Sequence, residues 1–377
     1  MTEESGSTFK VPVTKILKIK AHENADKLEI ATVFGFDVIV SKGTYKEGDK
    51  VLYIPVDSIL PHPVEVKLLG NSKIKLNKGR VRACKIRGVV SNGMLSNPEL
   101  LGLTNVKVEE DCAEKLGIKK YDPNPQRPNR NKPGGRVFKS KDHPLFHSYN
   151  GINNIKWYPE LFKVDEIVVV EEKTHGTNSR YSILPYTTET LWRKFKKLIG
   201  LTPEFEKNYG SNNVQISRKF SYTGFYGTDV YGEVGNRLKI FDKIKPNEIV
   251  YGEIIGPGIQ KNYHYGHTEH HFVLFDVKVY DEKTKTMTWL NAEEVTVYAK
   301  ERGFTRTPIL YIGPFDIELI EKLSSGPSTY DPTEKVKEGI VIKSLYEYNY
   351  EHMKSGRKSV KWINNDYLLD HSNSDEH

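Results

Sequence analysis

Over residues 11–60, apolar and polar residues alternate in the short runs TKILKIKA, LEIATVF, DVIVSKG and KVLYIPV, separated by the turn-forming stretches ENAD, FGFD and YKEGDK. A period of two turns one side of each run toward a core and the other toward water, so each run predicts a half-buried strand. A further long strand pattern, RVRACKIRGVVSNGML, covers 80–95, with Gly88 interrupting its middle and Asn92-Gly93 marking a turn near its end. About five strands of this kind predict a small β-barrel of the OB type, placed at residues 1–118.

Residues 119–142, KKYDPNPQRPNRNKPGGRVFKSKD, are rich in proline, glycine, asparagine and basic residues and lack apolar periodicity, which predicts a linker whose charges suit a polyanionic backbone or simply water. Apolar patterning returns at Ile155 and runs to Leu369, giving a second domain at 143–369 and a polar, disordered tail at 370–377. Within it, TLWRKFKKLIGL (190–201) places Leu191, Trp192, Phe195, Leu198 and Ile199 at helical spacing and four basic residues opposite. That predicts a basic amphipathic helix that packs its apolar stripe on the domain.

The chain has 377 residues, enough for two domains with cores of their own. No stretch approaches the eighteen or so apolar residues of a membrane span, and MTEESGSTFK is no hydrophobic signal region. The two cysteines, Cys84 and Cys112, make neither a disulfide framework nor a Cys-x-x-Cys zinc site. A soluble, intracellular protein, cytoplasmic by default, is the expectation. The net charge of +7 suits a polyanionic partner without proving one.

The chemistry concentrates in VVVEEKTHGTN (168–178), a β-branched run that ends in two glutamates and Lys173 and then breaks into a glycine-containing turn. A strand fixes the backbone, and its end is where an amine can be desolvated and lose the proton that blocks nucleophilic attack. Gly176 lets the chain turn closely around a phosphate, with Thr177 and Asn178 as further donors.

KTHGTN resembles the first nucleotidyltransferase motif of ATP-dependent, nick-sealing RNA ligases, in which His175 stands where DNA ligases and capping enzymes usually carry Asp. YGEIIGPGIQKNYHYG (251–266) resembles their third motif, HFVLFDV (271–277) the short motif after it, EGIVIK (338–343) the fourth and KSVKWI (358–363) the fifth. These segments occur in the family's order. IKAHENADKLEIATV also resembles tRNA-binding OB modules. The resemblance implies an α+β chain: an OB-type barrel followed by a nucleotidyltransferase (ATP-grasp-like) domain of antiparallel sheets flanked by helices.

It also implies ATP as cosubstrate, Mg2+ or Mn2+ as cofactor, and a monomer acting on RNA with 3′-hydroxyl and 5′-phosphate ends in a nicked duplex, as in RNA repair. Lys173 is the implied nucleophile, and His175, Gly176 and Asn178 accompany it in the nucleotide site. Lys343, Lys358 and Lys361 are the candidate phosphate-neutralising cations, with Lys361 the best fit to the final motif lysine. The family's other lysine falls at Ser359, and Lys358 is the possible substitute. Glu253 and Glu338 are implied ligands of the ribose or of water around the metal, Phe275 stacks on adenine, Glu172 reads the adenine amino group, and Arg218 orients a 3′ end or phosphate. His264, His267, His270 and His271 lack the spacing and partners of a zinc site. Competing readings are a DNA ligase, a capping-type guanylyltransferase, or a catalytically silent RNA-binding protein. Because the motifs follow the linker, the chemistry is expected to be separable from the barrel.

Overall fold

The computed structural model describes residues 9–70, 72, 74–122, 143–149, 151–186, 204–216, 226–261, 263–353 and 355–370. The basic helix predicted at 190–201, most of the 119–142 linker and the tail beyond Asp370 lie outside them. Described residues form two compact units, one drawn from Met1–Pro125, Gly151–Lys163 and Val360–His377, the other from Gln126–Asn150 and Val164–Ser359. The linear assignment of 143–369 to a single domain misses these two returns to the first unit.

In the first unit, Val13–Lys15, Lys50–Ile54 and Met94–Ser96 make one antiparallel sheet, and Lys18–Ala21, Leu28–Val33 and Phe36–Ser41 another. The run TKILKIKA therefore serves both sheets, breaking at buried Ile16 and exposed Leu17. Ile16, Ala31, Val33, Phe36, Val38, Val51 and Tyr53 form one core cluster, and Val11, Val13, Leu52, Ile54 and Val81 belong to a second. Trp157 explains why 151–163 returns here: its ring lies 4.9 Å from Phe34, 5.0 Å from Phe36 and 5.5 Å from Tyr53. Tyr53 reaches a partner from within this core, donating its hydroxyl to Asn92 O at 2.7 Å.

The stretch 80–95 is a correction to the sequence reading. It forms not one long strand but Cys84–Ile86, Val89–Ser91 and Met94–Ser96. Arg87 (φ 49°) and Gly88 (φ 97°) make the two-residue turn of a hairpin, the backbone that matches strand twist. His22 and Asn24 of the HENADKL stretch brace that turn through Ile86 O and Arg87 O, each at 3.0 Å. Arg80 is buried rather than offered to a phosphate backbone: it pairs with fully buried Asp57 at 2.5 Å and lies 3.6 Å above the Tyr121 ring.

In the second unit, Ile167–Glu172 lies between Ile309–Pro314 and Gly339–Ser344, antiparallel to both. Val168, Val169 and Val170 are all fully buried, the pattern of a strand covered on both faces. A second sheet runs in the order Gln215–Ile216, Phe205–Ser211, Thr177–Pro185, Glu248–Ile255, His271–Asp281, Thr286–Trp289. Tyr181, Val250, Ile254, Phe272, Leu274 and Val277 share a core with residues of the helices Val230–Arg237, Ile240–Lys243 and Ala292–Arg302. Ile249 and Tyr251 point to the opposite face, among Phe146, Leu184, Tyr149, Phe275 and Trp289. No helix among the described residues is long and apolar enough to cross a membrane.

Candidate active site

Lys173 follows the central strand Ile167–Glu172 directly, and its N–H donates to Gly339 O at 2.9 Å. This bond fixes it opposite Glu338, the residue just before the strand Gly339–Ser344. Lys173 Nζ lies 2.5 Å from Glu338 Oε1, and Glu338 Oε2 lies 3.4 Å from His175 Nδ1. Glu338 is 1% exposed and Lys173 15%. The sequence reading calls for burial or a neighbouring positive charge to release the amine. The structure supplies an anion instead, and a carboxylate at this distance favours the ammonium until its own charge is satisfied elsewhere.

His175 is held by two tyrosines that the motif reading passed over. Its N–H donates to Tyr265 Oη at 2.8 Å, and its ring meets Tyr263 edge-on at 4.8 Å. Tyr263 donates to Val336 O, and Glu334 Oε1 accepts the N–H groups of His264 and Tyr265. The alternation YHY was the available signal. Gly176 serves a purpose other than the one expected: a Cβ there would stand 2.4 Å from Ile254 O, so its value is the close approach of two strands.

Asn178 and Glu253 are direct cross-strand partners, so their side chains share one face of the sheet. Asn178 Oδ1 is buried without a hydrogen-bond partner. Thr177 points away, its hydroxyl 3.1 Å from Tyr231 Oη. Glu172 is engaged differently from expectation: Oε1 accepts Ser328 Oγ at 2.5 Å, and Oε2 accepts the N–H groups of Thr329 and Tyr330 at 2.6 and 3.2 Å. Both oxygens of this buried carboxylate are spent on the 328–330 loop.

Phe275 occupies a β-bulge. Tyr251 pairs with Asp276 and Gly252 with Leu274, so the register steps over Phe275. The extra residue turns two consecutive side chains to one face: the Phe275 ring meets Tyr149 at 4.9 Å and Asp276 Oδ2 accepts the Tyr149 hydroxyl at 2.7 Å. Lys343 is buried beneath them, its ammonium donating to Glu171 at 2.8 Å, Asp276 at 3.0 Å and Phe275 O at 3.3 Å. An ammonium has three donors, and all three are used. Burial acts to lower the Lys343 pKa, but Asp276 and Glu171 outweigh it and raise it. The expected phosphate-binding role of Lys343 is therefore corrected to an internal one.

The network continues on both sides. Arg306 reaches Glu171 at 2.5 Å, and Arg357, which the motif reading missed, donates to Asp276 at 2.9 Å and pairs with Glu347. Burial alone would raise the Asp276 pKa; Arg357 and Lys343 overcome it and hold the carboxyl well below the usual carboxylate range. Lys358 binds both oxygens of Glu166, at 2.8 and 2.6 Å. It stands three residues from Lys361, whereas Ser359 stands two away, and strand alternation puts Ser359 on the Lys361 face and Lys358 on the other. Lys358 is thus corrected: it does not replace the earlier motif lysine. Lys361 itself is buried in Ser359–Ile363, in the first unit, paired in register with Asn154. Arg218 lies outside the described residues.

The four histidines have separate duties: His264 N–H caps Glu334, His267 contacts the Tyr330 hydroxyl, His270 contacts Pro257 O, and His271 stacks on His267 at 3.9 Å. Among the described residues no group of three or more His, Cys, Asp or Glu is placed to hold a metal ion. Glu253 and Glu338 remain as hard oxygen donors. Such a set fits a cation that keeps most of its water and takes its other ligands from phosphate.

The RNA ligase family profile matches residues 166–363 and an OB-fold domain profile residues 10–98. No curated protein matches the chain. Among solved structures it is similar to Naegleria gruberi RNA ligase. A lysine-to-alanine variant with ATP and Mn is 21% identical at a TM-score of 0.72, covering 96% of this chain and 99% of that one. The same ligase with PPi is 22% identical at 0.70, over 96% and 98%. A lysine-to-methionine variant with AMP and Mn is 21% identical at 0.70, over 96% and 98%. These likenesses bear on the fold, whereas the family match takes in more than half of the 377 residues and every segment from the nucleophile strand to Lys361: the chain belongs to the RNA ligase family.

Proposed function

We propose that this protein is an ATP-dependent RNA ligase that seals nicked duplex RNA through a lysyl-AMP and then an RNA-adenylate. The observation that carries the reading is Lys173, an amine at the end of a buried strand with the Glu338 carboxylate 2.5 Å from Nζ. Nζ bonds to the α-phosphorus of ATP, the bond to the β-phosphate bridging oxygen breaks, and pyrophosphate leaves. Glu338 Oε1 is in hydrogen-bond reach of the proton that Nζ gives up. An oxygen of the RNA 5′-phosphate then displaces Lys173 from the AMP phosphorus. Finally the 3′-hydroxyl attacks the RNA 5′-phosphorus and AMP departs. Each step is an in-line displacement whose barrier falls mainly through positioning and charge neutralisation.

In this reading Phe275 stacks on adenine, Asn178 and Glu253 face the ribose, His175 belongs to the phosphate side, and Lys361 keeps its expected role of neutralising phosphate charge. Glu253 and Glu338 would hold a hydrated Mg2+ or Mn2+. When bound, such a cation neutralises phosphate charge and polarises the phosphoryl group. ATP with Mn, AMP with Mn, and PPi in the Naegleria ligase structures are the species expected around lysine adenylylation. In this reading the working unit is a monomer. The barrel contributes Lys85 and Arg87, both exposed on the hairpin, to phosphate contacts.

The test compares nicked duplexes with ribose or deoxyribose on the 3′-hydroxyl side. Efficient sealing only with ribose supports an RNA ligase; equal rates on an all-DNA nick contradict it.

A further inference from the structure

Six charges form one row, Arg306, Glu171, Lys343, Asp276, Arg357 and Glu347, and the middle four are buried. Burying charge is costly unless each group is paired and hydrogen-bonded, and apolar residues would hold these strands together at no such cost. The row must therefore be explained by what it touches. Three of its members converge on the bulge. Asp276 is the second bulge residue, Lys343 donates to the carbonyl of Phe275, and Arg357 donates to both oxygens of Asp276 at 2.9 and 3.3 Å. Tyr149 closes the arrangement, giving its hydroxyl to Asp276 and its ring to Phe275. Glu171, at the other end of Lys343, lies two residues before Lys173 on the central strand.

We infer that Asp276 and Arg357 are positioning residues for the adenine base: they hold the bulge that turns the Phe275 ring toward the nucleotide, and through Lys343 and Glu171 they fix that ring relative to Lys173. Adjacent residues of a regular strand point to opposite faces, so Phe275 and Asp276 share one face, with Leu274 and Val277 both on the other, only while the bulge is held. The pair acts on the base through Phe275 and touches no reacting atom. This inference rests on the ligase reading above.

The experiment measures the ATP dependence of lysyl-AMP formation in Asp276→Asn, Phe275→Leu and the double variant, with thermal unfolding followed in parallel. Losing a base–aromatic stack raises KM for ATP by about 10-fold or more. Asp276→Asn is expected to raise KM by a similar factor while kcat at saturating ATP falls less. The double variant is expected to show no larger KM than Phe275→Leu alone, because coupled residues are not additive. If the two effects on KM multiply, or if folded Asp276→Asn binds ATP normally, the inference is overturned. Should Asp276→Asn fail to fold, Tyr149→Phe removes only the hydroxyl that Asp276 accepts. It is then expected to raise KM in the wild-type background and to leave it unchanged in Phe275→Leu, and an unchanged KM in both contradicts the inference. Failure of the wild-type protein itself to form a lysyl-AMP would instead overturn the ligase reading.

Discussion

Lys173 and Glu338 face each other across neighbouring strands, the amine 2.5 Å from a carboxylate that is 1% exposed. The arrangement holds the nucleophile in place, and attack needs Nζ to give up a proton. Attack therefore depends on Glu338 passing from partner of the ammonium to acceptor of its proton, and the 3.4 Å separation from His175 places a second polar group on the same carboxylate. Glu338→Gln keeps the shape and removes the charge, and lysyl-AMP formation is expected to fall by roughly 100-fold or more. Glu253→Ala is expected to fall as well, most steeply at low Mg2+ or Mn2+. Rates equal to wild type across a metal titration would make both glutamates structural.

Glu172 stands next to the nucleophile and serves the loop 328–330 through three accepted hydrogen bonds. Glu172→Ala is expected to lower stability by about 1.5–3 kcal/mol, the range for hydrogen bonds to a charged group, measured by denaturant unfolding. A variant of unchanged stability that instead loses preference for ATP over GTP would return the side chain to adenine recognition.

Arg80 and Lys85 share one basic stretch, yet only Lys85 is exposed. Removing Arg80 leaves Asp57 buried and unpaired by its guanidinium, so Arg80→Ala is expected to cost about 3–5 kcal/mol. Joint substitution of Lys85 and Arg87 by alanine is expected to leave stability nearly unchanged and to weaken RNA binding and its salt dependence. The reverse pattern would contradict this division.

Much of this organisation was legible in advance because strands announce themselves by alternation and because the motif segments keep both order and residue type. What stayed hidden depended on departures from regular backbone. Alternation in HFVLFDV cannot show that Phe275 and Asp276 share a face; only the bulge does that. Gly88 looked like an interruption of a strand and is the corner of a hairpin. Trp157 gave no sign that its segment belongs with Phe36 and Tyr53. A fragment that starts after the linker would leave that ring without its partners, so the separability expected from motif order is replaced by an expected loss of solubility or stability. Lys343 and Lys358 read as free cations because a sequence does not display the carboxylates that meet them.

Lys278 offers a pH test away from the nucleophile. Burial and then the nearby Arg357 bring its pKa down to about 8, with the amine 3.2 Å from His147 Nδ1 and 4.7 Å from the Trp289 ring. A folded-state pKa below the unfolded value of about 10.4 means that the group's contribution to stability is present above the unfolded pKa and is lost as pH falls through about 8. Lys278→Met is expected to flatten the pH dependence of unfolding in this alkaline window. An identical profile in variant and wild type would show that Lys278 titrates normally.

The central claim is tested most directly by incubating the full chain and its Lys173→Ala variant with ATP labelled at the α-phosphate, followed by denaturing separation and peptide mapping. The account predicts a covalent AMP adduct on the Lys173 peptide of the wild-type chain and none in the variant, since only the first step needs that amine. A labelled adduct that persists in Lys173→Ala, or one that maps to another residue, would contradict it.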